Sequence, residues 1–123
     1  MLDASVVLAA FLLESGGEVF ATLTGDYRIS VFNLSEVASK LTEKGLSSEQ
    51  VRFAVEPLVP NSMPLTVDQA VQVGLWRRQT MRFGLSMGDR CCLALALDLG
   101  AEVWTADRAW AGLDLGVKVR VIR

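Results

Sequence analysis

The sequence contains no histidine among its 123 residues. That absence removes Ser-His-Asp and Cys-His nucleophilic catalysis, imidazole general bases and imidazole metal ligands. Cysteine is scarce as well: Cys91 and Cys92 are the only two, and they are neighbours. Adjacent cysteines make neither a normal metal pair nor an ordinary structural disulfide, so the thiols are expected to be reduced and the compartment cytoplasmic. Excess positive charge is also missing. Twelve basic residues face 14 acidic ones, for a net charge of −2, without the basic footprint usual in nucleic-acid binders. The longest apolar run, Val6–Leu13, falls well short of the roughly 20 residues a membrane helix needs. It does not read as a secretory signal either. Asp3 precedes it, no Lys or Arg occurs before Arg28, and no small-residue cleavage site follows.

The residues that are present describe a core. Hydrophobic residues make up 51% of the chain, which excludes intrinsic disorder. The length suits one domain over residues 1–123. So high an apolar content in so short a chain points to a further buried interface, with a second copy or a partner. Val6–Leu13 is the segment expected to supply it, being too apolar for a half-exposed helix.

Short β-like runs alternate with helical ones. Met1-Leu2 leads into Asp3, and Ser5–Glu14 reads as a helix closed by Gly16-Gly17. Glu18–Leu23 reads as a second short helix, Arg28–Phe32 as a strand, and Asn33–Glu43 as a helix stopping at Gly45. Ser47 with Gln50 opens a helix over Glu49–Leu58, and an extended stretch follows over Val59–Leu65. Thr66 with Gln69 opens a longer helix to about Phe83, and Ser86–Leu99 is the next. Glu102–Thr105 is a strand, Arg108–Leu113 a short helix and Val117–Ile122 the last strand. Strands separated by helices of this length predict a parallel sheet with helices on both faces. Right-handed crossovers then put the carboxyl ends of the strands on one edge, where ligands bind.

Four acids fall at that edge: Asp3, Glu36, Asp89 and Asp107. Each has a local explanation. Asn33-x-x-Glu36 and Ser86-x-x-Asp89 both fit a capping box, and Asp3 and Asp107 suit simple N-caps. Together, however, they are four carboxylates from four segments. Convergent carboxylates repel one another unless a cation neutralises them. Oxygen ligands suit a hard divalent ion, Mg²⁺ or Mn²⁺, and such a site suits phosphodiester hydrolysis.

The stretches "LDAS", "ISVFNLSEV", "GLSMGDRCCLALAL" and "VWTADRAW" resemble PIN domains, and among them the VapC-type toxins of bacterial toxin–antitoxin pairs. The resemblance spans essentially the whole chain and rests on the four stretches in this order. It implies a PIN-like three-layer α/β/α fold with a central, mostly parallel sheet. It also implies a Mg²⁺- or Mn²⁺-dependent endoribonuclease that hydrolyses RNA with metal-activated water. The catalytic and metal-holding acids it implies are Asp3, Glu36, Asp89 and Asp107, with Ser5, Asn33 and Thr105 in support. It further implies a homodimer inhibited by a cognate antitoxin. One departure stands out: only Met1 and Leu2 precede Asp3, which points to a short first strand, or a start upstream, and a loosened Asp3. Two other readings stay open, an inactive PIN-fold interaction module and a nuclease acting on structured DNA.

With the four acids set aside, the remaining charge is slightly basic. Arg78, Arg90 and Arg108 are candidates for RNA phosphate contact, and Trp110 for stacking on an unpaired base. Arg77 and Arg82 read as an ordinary solvated helix face, and Arg108 equally as a salt-bridge partner of Asp107. Trp76 could also stack, whereas Trp104, in a strand, and Cys91 and Cys92, in an apolar helix, read as core.

Overall fold

The structure, a computed structural model, describes residues 1–23 and 25–123. Its sheet is built from very short strands. β1 (Ile29–Ser30) pairs in parallel with β2 (Ser62–Met63), and β3 (Val103–Thr105) pairs in parallel with β4 (Val119–Val121). Leu2 joins the two pairs, bridging in parallel to Ile29 on one side and Trp104 on the other. The spatial order is therefore β2, β1, the Leu2 segment, β3, β4. The first segment of the chain lies at the centre and the order runs outward from it both ways. The crevice beside such a reversal is where open α/β sheets bind ligands.

Side chains alternate across this sheet, as a two-residue period demands. Met1 and Val103 pack into one core cluster, with Val73, Trp76, the buried run Cys91–Ala96 and Trp110. Leu2 and Ile29 pack into the other, with Val6, Val7, Val37, Leu41, Val51 and Leu58. The first face is covered by α4 (Val67–Leu75) and α6 (Met87–Leu99). The second is covered by α1 (Ala4–Phe11), α2 (Val31–Glu43) and α3 (Ser48–Val55). The expected three-layer α/β/α arrangement is thus present.

Three helix starts follow directly from local chemistry. Ser47 with Gln50, Thr66 with Gln69, and Ser86 with Asp89 form complete capping boxes, each supplying partners to backbone N–H groups that the helix leaves unpaired. Other boundaries differ from expectation. The run Arg28–Phe32 is strand only over Ile29–Ser30, because Ser30 caps α2 and its hydroxyl accepts the Asn33 N–H at 3.0 Å. Asn33 and Glu36 therefore form no capping box, and Glu36 sits in the second helical turn. The long helix expected over Thr66–Phe83 is broken into α4, α5 (Arg77–Thr80) and a 3-10 turn, Met81–Phe83. Trp76 turns into the core at the break, and the Thr80 hydroxyl donates to the Trp76 carbonyl at 2.7 Å. Glu18–Leu23 and Arg108–Leu113 are 3-10 segments, Gly17–Thr22 and Arg108–Gly112, and the strand signal of Val59–Leu65 narrows to β2.

One face of α1 is buried within the fold, while Leu8, Ala10 and Leu12 are only half-buried and Phe11 is exposed. Ala4, Val6, Val7 and Ala9 are fully buried within the fold, while Leu13 beyond the helix is 93% exposed. Gly17 makes that packing possible, since a Cβ there would lie 2.4 Å from the Ala9 carbonyl oxygen. No helix among the described residues is long and apolar enough to cross a membrane.

Two aromatic residues considered for base stacking belong to the core instead. Trp110 is 1% exposed and Trp76 is 6% exposed. Trp110 is too large and apolar for its short 3-10 turn to leave in water, and it fills the space under α6. Replacing it with alanine removes a fully buried indole, so Trp110→Ala is expected to lose about 3–5 kcal/mol of stability in urea unfolding. A loss under about 1 kcal/mol would place the indole outside the core.

Candidate metal centre

Asp3 follows the central Leu2 segment directly, and its own N–H donates to the Trp104 carbonyl at 3.0 Å. The chain leaves the sheet there and enters α1, with Asp3 as its N-cap. The carboxylate is 4% exposed and takes four hydrogen bonds. Oδ2 accepts from the Ser5 N–H at 3.3 Å, the Thr105 hydroxyl at 3.0 Å and the Ser5 hydroxyl. Oδ1 accepts from Asn33 Nδ2 at 3.2 Å. The short first strand therefore does not loosen Asp3, because contacts from three segments fix it. Two backbone groups complete the network: Ala106 N–H donates to the Ser5 hydroxyl at 2.8 Å and Asp107 N–H to the Thr105 hydroxyl at 3.1 Å. Ser5, Asn33 and Thr105, expected beside the first, second and last acids respectively, all hydrogen-bond to Asp3.

Asp3, Glu36 and Asp89 come together. Each offers a carboxylate oxygen, and these oxygens all lie within 4.8 Å of one another. Glu36 arrives from α2, one turn beyond Asn33 on the same helical face. Asp89 arrives from the first turn of α6, where its Oδ2 is tied to the Ser86 N–H at 2.6 Å. Asp107 lies outside this trio. It is exposed, caps the Arg108–Gly112 turn by accepting the Ala109 N–H at 2.9 Å, and connects to Asp3 only through Thr105. Its charge still reaches Asp89 and raises that group's proton affinity.

Burial and neighbouring carboxylates raise the proton affinity of all three carboxyls, with Lys40 acting on Glu36 and Arg90 on Asp89 only as smaller opposing influences. Burial first, then the Asp89 charge, push the Asp3 carboxyl up to about 6 against the pull of its hydrogen bonds. Burial and the neighbouring Asp3 and Asp89 charges push Glu36 up to about 7. Burial raises Asp89 as well. Among the described residues no Lys or Arg makes a salt bridge to Asp3, Glu36, Asp89 or Asp107. Three hard oxygen donors, close together and without a salt-bridge partner among the described residues, fit a divalent cation such as Mg²⁺ or Mn²⁺.

Arg90 does not serve this site. It is 7% exposed, and its guanidinium donates to the carbonyls of Val73 at 2.9 Å and Leu85 at 3.1 Å. It closes the last turn of α4, where unpaired carbonyls need donors. Arg78 is exposed, and exposed Arg108 donates to the Arg123 carbonyl at 3.0 Å with no ion pair to Asp107. Cys91 and Cys92 are buried free thiols, as expected of core residues.

Two further residues at the site, Ser30 in "ISVFNLSEV" and Gly88 in "GLSMGDRCCLALAL", are not among the site residues expected from the sequence. Ser30 is fully buried beneath Asn33. Gly88, between Ser86 and Asp89, leaves room for Glu36: a Cβ there would lie 3.1 Å from Glu36 Oε2 and 3.8 Å from Asn33 Nδ2. The only hint in the sequence is a glycine near a helix start, where it lowers helix propensity.

Comparison with known proteins bears on the whole chain. The model of the family described as PIN domain matches residues 1–114. The fold superimposes on a chain of the crystal structure of DNA-bound VapBC from Salmonella typhimurium with a TM-score of 0.73. That alignment covers 100% of this chain and 97% of the other, at 22% sequence identity. No curated protein sequence matches the chain.

The raised carboxyls set a pH dependence. Below about pH 4 these groups are protonated in both the folded and the unfolded chain. Between about pH 4 and the values near 6 and 7 the folded chain keeps protons that the unfolded chain has already lost, and above those values the effect is complete. Stability contributed by the site therefore falls with rising pH. In chelator-treated buffer, Glu36→Gln is expected to be more stable than wild type at pH 8 by about 1 kcal/mol, after screening at a half-open site. At pH 4 the difference closes. Parallel melting curves across pH 4–8 check this, and a constant difference would contradict it.

Proposed function

This chain belongs to the PIN domain family, and from that premise we propose that it is a metal-dependent endoribonuclease, the toxin of a toxin–antitoxin pair. One observation carries the reading. Carboxylates from three separate segments bring oxygens within 4.8 Å at the carboxyl edge of a parallel sheet, without a basic partner among the described residues. Helix capping accounts for Asp3 and Asp89 singly, but it gives no reason to aim Glu36 at both of them.

In this reading Asp3, Glu36 and Asp89 hold Mg²⁺ or Mn²⁺, and Asp107 contributes charge at the rim, directly or through water. The bound ion supplies a water of lowered pKa and positive charge against that developing on the scissile phosphate. The protein supplies orientation. Ser5 and Thr105 donate their hydroxyl hydrogens to Asp3 and hold its carboxylate in place, and in this reading the nucleophile is a metal-activated water. Arg78 and Arg108, both exposed, are the remaining candidates for RNA phosphate contact.

The structural likeness to a chain of VapBC supports a cognate antitoxin as the protein partner. A homodimer is supported by Val67, Val71 and Leu75, spaced four apart on α4 and 80%, 56% and 70% exposed.

The test is a Mn²⁺-dependent thermal shift of wild type and Asp89→Asn, followed by cleavage assays. Asparagine retains an oxygen for the Ser86 N–H, so the α6 cap survives while the ligand charge is lost. Wild type is expected to gain about 2.7 kcal/mol at 100 times its dissociation constant for Mn²⁺, and the variant to gain little. Wild type with Mn²⁺ then cleaves single-stranded RNA in preference to flapped DNA. No response from either protein up to millimolar Mn²⁺ would overturn the reading in favour of an inactive interaction module.

A further inference from the structure

Ser30 lies one step behind the carboxylates, fully buried. Its hydroxyl makes two contacts with one residue. The oxygen accepts the Asn33 backbone N–H at 3.0 Å, and the hydroxyl pairs with Asn33 Oδ1. Because a lone pair is committed to the N–H, the hydroxyl hydrogen is free to point at Oδ1. The Asn33 amide then has one orientation. Its oxygen faces Ser30, and its Nδ2 faces Asp3 Oδ1 at 3.2 Å. The flipped amide would set an oxygen against the Asp3 carboxylate and take the acceptor away from the Ser30 hydrogen, exchanging the bond to Asp3 for a repulsive contact.

The orientation decides which Asp3 oxygen is available. Oδ2 is filled by three donors, the Ser5 N–H, the Ser5 hydroxyl and the Thr105 hydroxyl. Oδ1 takes only the Asn33 amide. A carboxylate oxygen has about two lone-pair directions, so Oδ1 keeps one for a cation. Ser5 and Thr105 follow the same design as Ser30: each hydroxyl accepts a backbone N–H and so turns its hydrogen toward the site.

We propose that Ser30 is a positioning residue that acts through Asn33 to present Asp3 Oδ1 to the divalent ion. This rests on the metal-site reading above. Ser30 also caps α2, and the test has to separate the two roles. Glycine is nearly as good a cap as serine, so Ser30→Gly deletes the hydroxyl while leaving the helix start largely intact. Ser30→Thr restores the hydroxyl.

The experiment measures the Mn²⁺ dissociation constant by calorimetry for wild type, Ser30→Gly, Ser30→Thr, Asn33→Ala and the Ser30→Gly/Asn33→Ala double variant. Removing a group that orients a metal ligand weakens binding by about 10–100-fold. Ser30→Gly is expected to bind about tenfold more weakly or worse, and Ser30→Thr to recover most of that loss. In the Asn33→Ala background the Ser30 change is expected to have no further effect, because the path through the amide is already cut. If Ser30→Gly binds Mn²⁺ as wild type does, or if the two losses multiply in the double variant, the positioning role is wrong while the metal site stands. If wild type itself binds no Mn²⁺, both fall together.

Discussion

A buried carboxylate with no salt-bridge partner among the described residues is the constraint on which the rest of this structure depends. Asp3 sits where the central segment of the sheet ends, 4% exposed. A charge so placed is costly unless it is hydrogen-bonded on every side. The fold meets that demand with groups drawn from α1, α2 and the end of β3. Satisfying one residue therefore ties three distant parts of the chain together. It also explains how a central strand reduced to a single bridging residue keeps its place: the same junction is held by Leu2 in the core and by Asp3 in the polar network.

The network satisfies the hydrogen bonds of Asp3 but not the charge of its neighbourhood. Glu36 and Asp89 approach from opposite layers, and all three carboxyls hold their protons more tightly than ordinary carboxyls. Polar groups placed against their own electrostatics are what one expects where function overrides stability. The positive elements near at hand are used elsewhere. Arg90, next to Asp89 in the chain, turns its guanidinium to the Val73 carbonyl in the last turn of α4 and to the Leu85 carbonyl ahead of α6. The carboxylate cluster is thus without a salt-bridge partner among the described residues.

Much of this was legible in the residues themselves. The capping boxes at Ser47, Thr66 and Ser86 are local, three-residue signals, and each helix begins where its signal says. The parallel sheet followed from the alternation of elements, and three of the four acids followed from the sheet. What was not legible depended on tertiary packing. Arg90 and Trp110 are surface-type and interface-type residues by composition, and only the fold reveals that one closes a helix end and the other fills the core. Val31 and Phe32 read as strand because they are β-branched or aromatic, yet both lie exposed on α2 after the Ser30 cap. Asp107 was grouped with the other acids by its position after a strand. The turn that follows points its carboxylate at the Ala109 N–H instead.

The account stands on the claim that these carboxylates converge in order to share a cation, and the most direct measurement is anomalous diffraction from crystals of the protein soaked in Mn²⁺. The account predicts an anomalous peak bounded by the oxygens of Asp3, Glu36 and Asp89, with Asp3 engaged through Oδ1. A Mn²⁺ peak elsewhere on the chain, with these three carboxyls protonated and hydrogen-bonded to one another, would contradict it.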